Sequence, residues 1–212
     1  MALPFFYINE YTTSQKEILL DEDTSRHVVQ VLRMKEGEKL NLTDGKGSLI
    51  TAEVIDAHKK HCSVKIIDCQ LKTQDPRKVV IAISLLKNTS RFEWFLEKAT
   101  EIGISEIIPL ICERTEKQKF RLDRMMGICI SAMLQSQQCW LPILDEPVKY
   151  IEYIKSIKDN AELTKFIAHC EEQNQKNSLS VFQLLNHSTI LIGPEGDFTK
   201  NEIELALQNN FI

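Results

Sequence analysis

The sequence predicts an α/β protein in two parts, a small β-rich segment followed by a larger one in which strands and helices alternate. Three observations carry this. Apolar and polar residues alternate through Lys39–Thr43 and again through 48–55, with Asp44-Gly45-Lys46-Gly47 between them, which is a hairpin pattern. A polar stretch, Lys72-Thr73-Gln74-Asp75-Pro76-Arg77, then breaks the rhythm. After it, residues 79–86 form a near-continuous apolar run of strand length, and helix-period segments alternate with short apolar runs to the end of the chain. The 212 residues therefore divide into a β-rich domain over 1–72, a linker over 73–77 and an α/β domain over 78–212.

In the first segment, Phe5-Phe6-Tyr7-Ile8 reads as a strand. Thr24 or Ser25 is placed to cap a short helix that shows Val28, Val31 and Leu32 on one face. The hairpin follows, and residues 62–71 add a strand with Val64 and Ile66 on one side. Regularly spaced strands with one short helix suggest a small barrel. In the second segment, Ser90 is expected to cap a helix carrying Phe92, Phe95, Leu96, Ala99 and Ile102, which Gly103 stops. A strand over 106–112, helices over 122–137 and 148–157, and short strands at 166–168 and 189–192 come next. The last helix starts at Thr199, where Glu202 completes a capping box.

Several function classes are disfavoured. No apolar stretch reaches the length of a membrane span, and no signal peptide opens the chain. The six cysteines form no CxxC pair and read as reduced thiols of a cytoplasmic protein. Gly45 and Gly47 belong to a hairpin and not to a G-x-G-x-x-G turn between strand and helix. Neither a P-loop nor a G-x-S-x-G elbow is present. His58, His61 and Cys62 resemble half a metal site but lack a second ligand pair, so no metal is expected. The formal charge is -4, yet residues 77–140 hold 10 basic against 7 acidic side chains and are the net basic block. That is a faint electrostatic sign of a phosphate-bearing partner.

Four segments can carry chemistry. The first, Leu191-Ile192-Gly193-Pro194-Glu195-Gly196-Asp197-Phe198-Thr199, lies after an apolar strand and before a capped helix. That is the strand edge where α/β proteins bind ligands, and a Gly/Pro-rich turn there brings a flat ligand close to backbone groups. The second runs from Lys87 through Arg91, Glu93 and Trp94 to Lys98 and Glu101. The third is Glu113-Arg114-Thr115 with Lys117, Lys119, Arg121 and Arg124 after it, a loop suited to gripping phosphates. The fourth is Gln135-Ser136-Gln137-Gln138. Taken singly, these are equally an ordinary β–α turn, a solvated helix, a surface charge run and a helix end.

In order along the chain they are specific. With His27, Val31-Leu32-Arg33, Gly37, Asp44-Gly45 and Gly47, Lys98-Ala99-Thr100-Glu101-Ile102-Gly103, Ile108-Pro109, Ala132-Met133, Leu141-Pro142, His169-Cys170-Glu171-Glu172 and Ile192-Gly193-Pro194-Glu195-Gly196, the sequence resembles the bacterial SPOUT-class 16S rRNA (uridine-N3) methyltransferase family. The resemblance implies a PUA-like RNA-binding β-barrel followed by a SPOUT α/β domain with a C-terminal trefoil knot. It implies S-adenosylmethionine as methyl donor, 16S rRNA within the 30S subunit as substrate, a homodimer, and neither membrane nor metal. By position, Leu191, Ile192, Gly193, Pro194, Glu195 and Gly196 would form the donor wall. His27, Arg33, Lys87, Arg91 and Lys98 would face RNA, and Glu93, Glu101 and Arg114 would serve catalysis.

Two departures shape the expectation. The family continues with a further strand, a loop and a helix where this sequence stops at Ile212, so a truncated knot and weakened donor affinity are expected. Asp197 stands where many relatives have glycine and is expected at the first turn of a helix. The alternatives are a non-catalytic RNA-binding module, or a SPOUT methyltransferase acting on another RNA.

Overall fold

A computed structural model of the protein describes residues 3–116, 119–158, 160, 162–171 and 187–212. Two compact units emerge: Met1–Gln74 together with Ile130–Leu141, and Asp75–Cys129 together with Pro142–Ile212.

The first unit is a five-stranded sheet in the order β1-β3-β4-β5-β2. Its strands are β1 (Phe5–Tyr7), β2 (Glu17–Leu19), β3 (Lys39–Thr43), β4 (Ser48–Asp56) and β5 (Ser63–Leu71). β1 and β3 are parallel; the other pairs are antiparallel. The path runs from β1 to β2 without pairing these two, so backbone hydrogen bonds among the described residues do not close the expected barrel. Leu40, Leu42, Ile50, Ala52, Val54 and Val64 supply the buried face, in the period-two pattern that the alternation implied.

The Asp44 turn is built for close approach. Its carboxylate accepts the Lys46 and Ser48 N–H groups at 2.9 and 3.2 Å. A Cβ on Gly47 would run into the Trp140 indole. Trp140 forms an antiparallel bridge to Lys46, and the Gly47 N–H donates to the Cys139 carbonyl. The residues after the Gln135–Gln138 helix end are thus part of the hairpin's packing.

The short helix departs from expectation at both ends. α1 (Glu22–Arg26) is capped by Asp21, whose carboxylate accepts the Thr24 N–H at 2.9 Å and its hydroxyl at 2.7 Å. Ser25 is buried instead, accepting the Cys62 N–H. α1 runs into a π-helical turn, His27–Val31, closed by Leu32 N–H to the His27 carbonyl. This wider turn breaks the i, i+3, i+4 face. Val28 is buried, Val31 and Leu32 are exposed, and Met34 takes the inner position beyond Arg33 (φ 57°).

The second unit is an all-parallel six-stranded sheet, β10-β11-β6-β7-β8 with β9 also on β7. It comprises β6 (Val79–Ser84), β7 (Glu106–Ile111), β8 (Ile143–Leu144), β9 (Val148–Lys149), β10 (Thr164–Ala168) and β11 (Ser188–Ile192). The helices are α2 (Thr89–Glu101), α3 (Leu122–Gln135), α4 (Tyr150–Ile157) and α5 (Lys200–Gln208); α3 enters the first unit at Ile130. Residues 148 and 149 pair with β7 and so are strand, not the start of the helix. α2 is capped by Asn88, which accepts the Ser90 N–H, so the cap lies two residues before the expected Ser90. Its C-terminus closes with Gly103 N–H to Thr100 and Ile104 N–H to Ala99, the doubled bond of a glycine-terminated helix.

Tyr150, Ile154, Ile203 and Ala206 from α4 and α5 pack on Ala82, Leu110 and Leu191 of the sheet. Lys165 is buried in β10, where its ammonium donates at 2.9 Å to the carbonyl of Lys158 and at 3.5 Å to that of Asn209. These are the C-caps of α4 and α5, so one cation faces two negative helix ends. Among the described residues no helix is long and apolar enough to cross a membrane.

Candidate active site

The strand order locates the site. From β6 the chain steps outward to β7, then returns to place β11 on the other side of β6. In such sheets ligands bind beyond the carboxyl ends of the strands, where the order reverses. The loops after β6, β7, β10 and β11 all end there, and hydrogen bonds tie them together.

The β11 loop is the centre. The Asp197 N–H donates to the Pro194 carbonyl at 2.9 Å, closing a tight turn over Glu195 and Gly196, both exposed. Gly193 is required by close approach, since a Cβ there would stand 3.1 Å from both the Phe198 ring and its backbone nitrogen. Gly196 is not so confined; its nearest neighbour would be Arg114 Cδ at 3.5 Å. Asp197 is not in the helix, as expected above, but two residues before its Thr199 cap with φ 62°. Asp tolerates this left-handed region, and its carboxylate accepts the Cys170 N–H at 2.7 Å and the Phe198 N–H at 2.8 Å. Those bonds are what a glycine could not supply.

Neighbouring loops hold this turn from three sides. The Glu195 carboxylate accepts the Lys87 N–H at 3.1 Å, while the Lys87 ammonium pairs with Glu116 at 2.7 Å, which holds its pKa above the ordinary lysine value. Arg114 Nη1 donates to the Gly196 carbonyl at 2.6 Å and also reaches that of Phe198. Glu202 performs the predicted capping box with Thr199 and, in addition, accepts the Glu113 N–H at 2.9 Å. Below it, the Thr115 hydroxyl accepts the Cys112 N–H and meets the Ser84 hydroxyl at 2.8 Å. Burial, with the nearby Glu202 charge, pushes the Cys112 thiol up to about 12, so it stays protonated and inert.

Comparison with known proteins identifies the family. Residues 73–212 match the model of an RNA methyltransferase domain, and residues 20–67 match that of an RNA methyltransferase PUA domain. The chain belongs to this RNA methyltransferase family. The ribosomal RNA small subunit methyltransferase E of Rickettsia conorii is 29% identical across 94% of this chain and 81% of its own length. Among solved structures, a probable rRNA-methyltransferase from Porphyromonas gingivalis superposes with a TM-score of 0.87 at 32% identity, covering 99% of this chain and 87% of that one. The ribosomal RNA small subunit methyltransferase E from Neisseria gonorrhoeae, solved bound to S-adenosyl methionine, has a TM-score of 0.86 at 28% identity, covering 99% and 86%. The fold is accordingly a PUA-like domain with an α/β methyltransferase domain.

Within this RNA methyltransferase, Leu191 to Gly196, Lys87 and Arg114 gather at one strand edge, as the sequence placed them. Arg91 is exposed on the first turn of α2, and Glu93 sits a turn further on, its carboxylate held at 2.8 Å by Arg124 Nε. Lys98 and Glu101 do not project near that edge. They pair with each other at 3.0 Å in the last turn of α2, on the order of 18 Å from its Asn88 cap at 1.5 Å per residue. The helix carries them back towards the other end of the sheet. In the first unit His27 is exposed and meets the Phe6 ring edge-on at 5.5 Å; Arg33 is exposed too. His27 lines a cleft of about 300 Å³ with Tyr7, Asn9, Asp21 and Thr24. Cys62 is buried away from the stacked His58 and His61 rings. Lys117 and Glu172 lie outside the described residues. Sequence reasoning missed the ties made by Ser84, Thr115, Asp197 and Glu202; of these, only the capping-box spacing of Glu202 left a local trace.

Proposed function

We propose that the protein transfers a methyl group from S-adenosylmethionine to N3 of a uridine in 16S rRNA of the 30S subunit. The reading extends to a SPOUT domain with a trefoil knot, a homodimer and a cytoplasmic setting. The observation that supports it best is the β11 loop, a glycine-proline turn at the topological switch point, tied from three sides and with Glu195 and Gly196 turned outward. A preorganised loop of this kind suits a flat, polar ligand held against main-chain groups. The donor, when bound, supplies an electrophilic methyl on a sulfonium.

The chain's own residues would do the following. Leu191 to Gly196 form the wall that orients the donor, with Gly193 keeping that wall thin. Arg114, fixed by the Gly196 carbonyl, offers the remaining donors of its guanidinium to a uracil carbonyl. Uridine N3–H is a weak acid, and a cation beside the ring favours its loss to water before N3 attacks. Orientation of the two partners supplies much of the rate. Glu93 and Glu101 are engaged by Arg124 and Lys98, and neither is assigned as a base. Lys87 and Arg91 lie at the same edge for RNA, and His27 and Arg33 would contact it from the PUA-like domain.

The test is incubation of unmethylated 30S subunits with the protein and S-adenosylmethionine, followed by nucleoside mass spectrometry. N3-methyluridine in 16S rRNA is expected. Its absence, with donor binding intact by calorimetry, rejects the target; absence of donor binding rejects the activity.

A further inference from the structure

A second cleft in the α/β unit plays no part in this reading. Thr89 and Ser90 from the first turn of α2, Glu93 one turn on, and Lys119, Arg121 and Arg124 line a hollow of about 290 Å³, with buried Met125 among its walls. Three cations face one carboxylate. That carboxylate already accepts from Arg124 at 2.8 Å, and Glu93 is 19% exposed against 56% for Arg124. Arg121 reaches Asp123 at 3.3 Å, but both side chains stay largely in solvent, so the pairing is weak. The first turn of α2 contains no acidic side chain.

The lining is net positive: two guanidinium groups and an ammonium stand against one carboxylate, which Arg124 already engages. A ligand for it must bring several acceptor oxygens and negative charge. Guanidinium forks match phosphate geometry, and an open cleft of this size admits a phosphate together with its sugar.

We propose that this cleft grips a phosphodiester of the substrate RNA, with Lys119 and Arg121 contacting phosphate oxygens and Arg124 held in place by Glu93. The inference rests on the RNA methyltransferase reading and adds to Lys87 and Arg91 a second place where the α/β unit engages the RNA backbone. Glu93 is then a positioning residue for Arg124.

The experiment measures binding of the intact protein to 30S subunits, and in parallel to 23S rRNA and bulk tRNA, between 50 and 200 mM salt. The doubly substituted Lys119→Ala, Arg121→Ala protein is expected to bind its RNA about tenfold more weakly at the low-salt end, with a log–log salt slope shallower by roughly 1–2. Lys155→Ala, which removes an exposed cation of α4 outside the cleft, serves as the control for loss of a surface charge and should leave the slope alone. Glu93→Gln should raise KM for RNA more than it lowers kcat. Unchanged affinity and slope in the double variant would overturn the proposal. So would competition by inorganic phosphate or uridine monophosphate as strong as that by RNA, which would mark a small-anion site. Loss of kcat alone in Glu93→Gln would overturn the positioning role. If 30S subunits fail but another RNA shows the cation dependence, the target falls and the cleft stands.

Discussion

The β11 loop and the α2–α3 cleft, the two places proposed to meet ligands, are made from opposite materials. The loop is backbone held in place by short carboxylate bonds from Asp197, Glu195 and Glu202, with a glycine where no side chain fits. The cleft is long, solvated cations on helix surfaces, with one fixed ion pair. The first arrangement selects by shape and is little affected by salt. The second selects by charge, tolerates movement and weakens as ions screen it. A methyl donor of fixed shape and a flexible polyanion call for these two solutions.

The sharpest way to break the contrast is Glu202→Ala. It leaves the Glu113 and Thr199 N–H groups without their acceptor, and we expect a loss of about 2–4 kcal/mol in thermal or urea unfolding. Glu202→Gln, which keeps one acceptor oxygen, should cost less. Next comes the glycine pair. Gly193→Ala must push Phe198 aside and should cut donor affinity at least tenfold in calorimetry, while Gly196→Ala, with ordinary room, should lose far less. Third is the thiol. At pH 8 Cys112 should resist iodoacetamide, since that pH lies well below its pKa of about 12; exposed Cys69 and Cys170 should be modified. In Glu202→Ala the carboxylate's charge is gone but burial, the larger cause, remains, so Cys112 should still label far more slowly than Cys69. The smallest effect is on the other side of the comparison. Arg121→Ala should change stability by no more than about 0.5 kcal/mol, because its partner is solvated.

Local chemistry was legible in the sequence and distant chemistry was not. The Asp44-Gly45 hairpin, the Thr199 capping box and the apolar β6 and β11 runs involve residues a few positions apart, and each formed where expected. The cap of α2 slipped from Ser90 to Asn88 because both residue types cap well and nothing local chooses between them. The π-helical turn at His27 hid the true inner face, and two-residue strands such as β8 are too short to show a period. In the site, the glycine-proline loop stood out by composition. Its anchors come from residues up to 108 positions away, as with Lys87 and Glu195, and no spacing rule points to them. The three residues expected to serve catalysis do not gather, for the converse reason: Glu101 is close to Glu93 in sequence, but a helix of 13 residues carries it away.

The two-way grip of Glu202 has a thermodynamic consequence. One carboxylate holds the first turn of α5 and the loop after β7, so opening either releases the other. Any ligand that steadies those loops must also slow fraying of α5, and by reciprocity any weakening of α5 must lower affinity for that ligand by the same factor. Amide hydrogen exchange at Ile203 and Glu204, remote from the exposed turn, would therefore report occupancy of the site.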